Sequence, residues 1–591
     1  MLDARVYRTA FLPALVALFV AAFALEDRPE PARNPLPADA FDGARAFGSG
    51  QSPAPQSLTG LAQAFPDRTP GSVDDDRMAE FVAQSLRSPE AAGERVDFTV
   101  RKEVAPSRNG DVVTVVAQRP GASDRRIVVL ANRDGPGLAN LSGTAALIEL
   151  ARVLKARDTR KTLVLVSTSG STTGDAGARH WAREQAGAPV DAVIVLGDMA
   201  GTRVRKPWVV GWPQSTAPTP LGLERTVQAA VRREVHGDAG GPRALAQWIR
   251  RAVPVTVSGQ GAIGGEGLPA ILLSESGELG PAADEPVLPA RLNAFGRAAL
   301  SAVSAVDAAG PRTAPAFANA SEGIVTLRNV LPDWASRLVV GTLLLPALLA
   351  ALDAFFRARR RRVPVTPWLI WLGVASLPLP VAWLWLRALA ATGMVKAPDG
   401  PVLPGLFPLQ TSGIVAMVSA LVAGGLVCWI VRWLAPKGRS AEGVDGLAVA
   451  LAVWLSVLGA VAWVLNPFAA GILLLATHLW LFGWRPRAAL AVGLAGLLPL
   501  LVVAVYYGFA LDLGPLGLAW GSALGAMSGS GLWTALLLAA ALAALTGVAR
   551  AAAARRRLER EGGGAAPFRT RGPLSYAGPG SLGGTESALR R

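Results

Sequence analysis

Two carboxylates, Asp134 and Asp198, each stand within three residues of the end of a short apolar run, and a Ser/Thr-rich turn, Ser169-Gly170-Ser171-Thr172, follows a third run. Groups of these types at neighbouring strand ends can bind a ligand between them, or can do no more than cap the turns they begin. Nucleophilic catalysis finds less support. The chain has no Gly-x-Ser-x-Gly elbow, and Ser171 reads as a solvated loop residue. Of the three histidines, His180 lies beside Trp181 in a helical pattern, His236 has no nucleophile in its sequence context, and His478 falls in a long apolar run. The single cysteine, Cys428, also lies in an apolar run, so disulfides contribute nothing to the fold.

The elements that must position these groups are short. Apolar runs at Ile127–Ala131, Leu163–Val166 and Ala192–Leu196 are bounded by polar or Gly turns, with helical spacing between them at Ala145, Leu147, Ile148, Leu150, Ala151 and Leu154. Buried strands alternating with helices predict a doubly wound, mostly parallel α/β sheet whose ligands sit at the carboxyl ends of its strands. Further strands are expected at 96–100, 112–118 and 268–273, and helices within 61–86 and at 221–235, 243–253 and 288–308. Gly135, Gly137 and Gly143 serve the turn and the close approach of helix to sheet.

In order and spacing this stretch resembles the di-zinc exopeptidases of the aminopeptidase Y and glutamate carboxypeptidase type (metallopeptidase clan MH), over about residues 60–310. Asn132-Arg133-Asp134 stands at the family's His-x-Asp, and Leu138–Gly143 at its Asn-Asp-Asn-x-Ser-Gly helix start. Ser169–Thr172 stands at Asp-Gly-Glu-Glu, and Asp198–Gly201 at Asp-Met-x-Gly. The resemblance implies that Asn132 and Gly280 replace the two histidines, Ala139 the bridging Asp, and Ser171 and Thr172 the general base and its neighbouring ligand. Asp198 remains as a ligand and Asp134 as the carboxylate behind the first His. Ala and Gly offer no donor atom, and Asn, Ser and Thr are poor zinc ligands at neutral pH. No zinc, no other cofactor and no catalytic residue is therefore expected in this degenerate cleft. Asp134, and Asp198 with it, is expected to meet a donor such as Asn132, Ser171, Thr172 or Arg133, leaving a neutral polar depression shaped for a chain end.

The rest of the chain calls for a membrane. At 591 residues and 51% hydrophobic it is too long for one domain and too apolar for an ordinary soluble protein. Its net charge of +15 is uneven: residues 26–335 carry 34 basic and 34 acidic groups, so the excess lies outside them. That distribution argues against nucleic acid as a partner and for membrane topology. Residues 1–25 read as an anchor or a signal peptide, either of which exports the segment after it, and 26–58 as a linker. An exported aminopeptidase-like domain at 59–310 and a linker at 311–336 precede a seven-helix membrane domain at 337–550 and a basic, disordered tail at 551–591. Basic residues fall on alternate connections, at Arg357 and Arg359–Arg362, Arg432 to Arg439, Arg485 and Arg487, and Arg550 to Arg557. The positive-inside bias then puts the globular domain outside the cell membrane and, with the first span uncleaved, both termini in the cytoplasm.

The layout is similar to that of the glycosylphosphatidylinositol transamidase subunit with a luminal aminopeptidase-like domain, which implies a scaffold holding a substrate for another enzyme. The composition resembles that of a high-GC bacterial chain. Three readings stay open. The first is a non-catalytic binding or scaffolding module whose partners are the bilayer and other membrane or exported proteins, or a peptide chain end. The second is an active metallo-aminopeptidase using Asp134, Asp198 and Asp284 as ligands. The third is a transporter with an outer cargo-capture domain, for which His478 is the membrane residue to test.

Overall fold

The computed structural model describes residues 4–48, 53–87, 97–309, 323–326, 328–436, 441–482 and 489–561. Helices α1 (Ala4–Thr9) and α2 (Leu12–Phe23) lead into β1 (Glu26–Asp27), α3 (Gly43–Phe47), α4 (Leu58–Ala64) and α5 (Val73–Arg87). The sheet-bearing segment comes next: β2 (Thr99–Ala105), β3 (Val112–Arg119), β4 (Ser123–Asn132), α6 (Leu138–Lys155), β5 (Lys161–Thr168), α7 (Ala176–Glu184) and β6 (Val190–Leu196). It is completed by β7 (Val209–Val210), α8 (Leu221–Glu234), α9 (Ala244–Ala252), α10 (Gly259–Gly265), β8 (Ala270–Leu273) and α11 (Pro289–Ala308).

The apolar runs fold as the centre of a seven-stranded sheet of order β2-β3-β5-β4-β6-β8-β7. Alternate residues of β4 enter opposite cores: Ile127, Val129 and Ala131 pack with α6 and α11, while Val128 and Leu130 pack with Trp181 of α7 and Ile263 of α10. Burial on both faces is why these strands read as continuous apolar runs. Strands β5, β4, β6 and β8 are mutually parallel, but β2, β3 and β7 pair antiparallel. The sheet is thus mixed where a mostly parallel one was expected. A short turn after Ala105 folds β2 back on β3, a connection that permits only antiparallel pairing.

Residues 26–58, expected to be a coreless linker, contribute to the main core through Ala38, Phe41, Ala46 and Leu58. Their low apolar content hid this, because a few side chains suffice: Phe41 packs so closely on α11 that a Cβ at Gly296 would overlap its ring. Most of the second expected linker lies outside the described residues. Its end forms β9 (Gly323–Val325) and β10 (Asn329–Pro332), and β10 pairs antiparallel with both β9 and β1.

The helical half comprises α12 (Asp333–Arg360), α13 (Thr366–Ala375), α14 (Pro378–Ala391), α15 (Thr411–Trp433), α16 (Ala441–Leu465), α17 (Pro467–Phe482), α18 (Ala489–Ala510), α19 (Pro515–Ser528) and α20 (Leu532–Glu561). Among the described residues seven helices, one near the N-terminus, are long and apolar enough to cross a membrane, with α13 and α14 counted as one stretch broken before Pro378. Helix α17 is apolar but shorter. Between α18 and α20 lies the short helix α19, whose Trp520, Leu524 and Met527 are buried. Residues 551–561, assigned to a disordered tail, continue α20, and residues 562–591 lie outside the described residues.

Candidate functional site

The carboxyl ends of β4, β5, β6 and β8 place the candidate residues around one buried depression. Asp134, two residues beyond β4, is 1% exposed. Its Oδ2 accepts from Ser171 Oγ at 2.9 Å, Thr172 N at 3.0 Å and Thr172 Oγ1 at 3.2 Å, so the turn after β5 wraps one carboxylate oxygen. Burial nevertheless holds its pKa above the usual Asp value, against the lowering effect of the Thr172 and Ser171 hydrogen bonds. Arg133 is not a donor here. Its side chain passes beneath the sheet, where Nε lies 2.8 Å from Asp75 Oδ1 and Nη2 donates to Val113 O at 2.6 Å. Strand alternation accounts for this, since neighbours in an extended segment point to opposite faces. Asn132 also turns from Asp134, accepting from Thr168 Oγ1.

Asp198, beyond β6, caps its own loop: Oδ1 accepts from Ala200 N at 3.1 Å and Gly201 N at 2.7 Å. Its pKa is raised by burial. Ser142 ties this loop to the start of α6, accepting from Met199 N at 2.8 Å while donating to Ala139 O at 2.6 Å. Gly143 is needed beside it, because a Cβ there would stand 2.5 Å from Leu196 O. Ala139 is fully buried, and among the described residues no atom lies within 4 Å of where a Cβ on Gly280 would point.

Two acids escaped the sequence reading. Asp175 begins α7 with φ of 60°, is buried, and has no hydrogen-bond partner on either carboxylate oxygen among the described residues. A Cβ at Gly259 would lie 3.5 Å from its Oδ1 and 3.8 Å from Asn132 Nδ2, which puts Asp175 in the same depression. Burial pushes its carboxyl up to about 8, partly offset by Arg179 and reinforced by Asp134. Its place before a helix suggests an N-cap, but the left-handed backbone leaves the side chain without a cap bond. Glu275, just after β8, is buried with neither oxygen hydrogen-bonded among the described residues, although Arg291 Nε lies 3.3 Å away, and burial raises it to about 7.

These residues do not make a zinc donor set. The family-implied positions hold an amide, two hydroxyls and two residues with no donor atom; Asp134 is bonded by the turn after β5 and Asp198 by its own loop. Among the described residues no group of three or more His, Cys, Asp or Glu is placed to hold a metal ion. The histidines lie elsewhere. His180 Nε2 is 3.3 Å from Glu184 Oε1, and His236 lines a separate 400 Å³ surface pocket. His478 has both ring nitrogens engaged, Nδ1 with Tyr7 OH and Nε2 with Leu343 O, each at 2.9 Å, and so ties α1 and α12 to α17. Asp284 is exposed on the surface.

A loop of the helical half reaches the depression. Asp399 N donates to Thr173 O at 2.8 Å, and Gly174 meets Gly400 so closely that a Cβ at 174 would lie 2.3 Å from Gly400 N. On the far side, Glu278, two residues before Gly280, forms a two-pronged ion pair with Arg250 of α9 at 2.9 and 2.6 Å. Arg250 Nε also bonds Tyr506 OH of α18 at 3.0 Å.

Comparison with known proteins points to the same class as the sequence motifs. Residues 114–240 match peptidase family M28. A probable zinc metalloprotease of Leptosphaeria maculans is 29% identical over 198 residues, 32% of this chain and 45% of that protein. A probable zinc metalloprotease of Pyrenophora tritici-repentis is 28% identical over 165 residues, 26% of this chain and 34% of that one. The chain thus spans less than half the length of these curated relatives. Both are fungal, so the bacterial source read from composition gains no support from them. Among solved structures, a leucine aminopeptidase precursor from Bacteroides thetaiotaomicron aligns at 15% identity with TM-score 0.35, covering 46% of this chain and 99% of its own. Fimbriiglobus ruber glutaminyl cyclase aligns at 14% identity with TM-score 0.36, covering 47% and 99%. The globular half is a peptidase M28-like domain, joined to helices fit to cross a membrane.

Proposed function

We propose that this is a multi-pass membrane protein whose M28-like domain binds or scaffolds rather than hydrolyses. The observation that carries the reading is the state of the two retained acids: Asp134 is wrapped by Ser171 and Thr172, and Asp198 caps its own loop. An acid already committed to turn hydrogen bonds is poorly placed to bind zinc or activate water. The ligand that suits the depression is a peptide chain end, and the partners are other membrane or exported proteins.

The extracytoplasmic placement of the domain has its own support. The hydrogen bonds joining it to the long helices fall at Ala397 and Asp399, Asn466 and Phe468, Tyr506 to Asp512, and Met527. Those belong to one set of alternate connections, and the Arg-rich connections at 357–362 and 550–557 belong to the other.

The full chain, purified in mild detergent, would be analysed for zinc and for release of N-terminal residues from a peptide mixture. The reading expects substoichiometric zinc and no release. Stoichiometric zinc with turnover abolished by Asp198→Ala would replace it with an active metallo-aminopeptidase, the activity that the names of the fungal relatives suggest.

A further inference from the structure

Where the globular domain meets the helices, a cleft of about 530 Å³ opens between the β2–β3 turn and the connection from α14 to α15. Its polar lining is Arg108, Asn109, Lys396 and Gln410, with threonines at 69 and 173, and its apolar floor includes Val395, Leu406 and Phe407. Among the described residues no acidic side chain lines it.

The positive charge here is only partly offset, by Asp399. Arg108 Nη1 and Arg387 Nη1 both donate to Met527 O, each at 2.8 Å, so two guanidiniums converge on one carbonyl. Neither they nor Lys396 forms an ion pair with a carboxylate among the described residues. The nearby Asp399 is committed elsewhere, accepting from Ser107 Oγ at 2.7 Å and Arg108 N at 3.0 Å. Lys396 is exposed at the rim. Crowded cations with one nearby carboxylate, Asp399, and no direct ion pair favour an anion with several acceptor oxygens, which an Arg fork and a Lys ammonium can share.

Position narrows the choice of anion. Ala390 and Gly393, on the wall, end the stretch Thr366–Ala391, and Gln410 precedes the stretch Thr411–Trp433, both long and apolar enough to cross a membrane. The ends of such spans lie at headgroup depth. We propose that this cleft holds the phosphate of an anionic phospholipid, with Arg108 and Lys396 on the phosphate oxygens, Arg387 reinforcing the field, and the apolar floor receiving the glycerol and upper acyl chain. The proposal rests on the helices crossing a bilayer and is independent of whether the M28-like domain is catalytic.

The test uses the full chain in detergent, titrated with phosphatidylglycerol or phosphatidylcholine, with bound lipid read by mass spectrometry of the intact protein. Phosphatidylglycerol is expected to be retained over phosphatidylcholine. Lys396→Gln, which removes an exposed ammonium, should weaken retention about fivefold, and Lys396→Gln with Arg108→Gln on the order of 30-fold. Arg359→Gln, in the opposite connection, should leave it unchanged. Equal retention of the two lipids, wild-type retention by Lys396→Gln, or displacement of lipid by millimolar inorganic phosphate or by a peptide carboxylate would overturn the proposal. A protein that fails to select phosphatidylglycerol but still lacks zinc and turnover refutes the lipid site and leaves the scaffolding reading standing.

Discussion

The depression at the strand ends and the junction beneath α9 are both buried and both rich in charge, yet they treat charge in opposite ways. In the depression, Asp175 and Glu275 have no hydrogen bond on either oxygen among the described residues, and burial keeps their carboxyls protonated well above the usual range. At the junction, Arg250 is matched by Glu278 and Tyr506, and Arg251 by Asp333. Asn466 donates to the carbonyls of Arg251 and Ala252 at 2.9 and 3.2 Å. Well-oriented polar pairs thus tie the two halves together, whereas burial raises the pKa of each acid in the cleft. The paired charges of the junction hold the two halves together.

The sharpest way to break that contrast is at Arg250. Arg250→Met should destabilise the full chain by about 3–5 kcal/mol, because Glu278 is left buried without its partner. Thermal unfolding in detergent would report it, and a loss no larger than that of cleft variants would dissolve the distinction. Asp134→Ala comes next, at about 1–3 kcal/mol, since Ser171 and Thr172 lose their acceptor. Asp198→Ala should cost about 1 kcal/mol, as for the loss of a helix cap, with zinc content unchanged.

A further effect is read from pH rather than from a single stability value. Unfolded Asp and Glu release their protons near pH 4, whereas Glu275 holds its proton to about 7 and Asp175 to about 8 in the folded chain. The folded state therefore binds more protons than the unfolded one across this range, and stability should fall as pH rises from about 4 to about 8, then level off. Asp175→Asn keeps the shape and tolerates the left-handed backbone. It should abolish the part of the slope between pH 7 and 8, measured as melting temperature against pH. A slope that persists there would show that Asp175 is charged and paired in the folded protein.

Much of the frame was legible because burial writes itself into composition. The three apolar runs became β4, β5 and β6, and the spacing around Leu147 and Leu150 became α6. The features that escaped had weak local signals and strong tertiary ones. Helix α10, with the sequence GQGAIGG, has poor intrinsic propensity and exists because Gly261 and Gly264 fit closely against Thr256 and Pro213. Helix α19 carries several glycines and is too short to span, and it is held by packing, with Trp520 Nε1 donating to Phe407 O at 2.8 Å. In the cleft, the motif positions could be assigned by order alone, but the direction of Arg133 and the exposure of Asp175 to the depression depend on how strands and turns face one another.

Helix α9 has a consequence for how this protein can be handled by a cell. Its Trp248 donates to Phe468 O at 3.0 Å, and Ile249 is buried with Tyr507 and Leu511. A proteolytic cut between Ala309 and Gly323 would leave the globular half joined to its N-terminal helices and held to the long helices by this face. Pulling the domain off that face would strip an aromatic surface bare and expose it to aggregation.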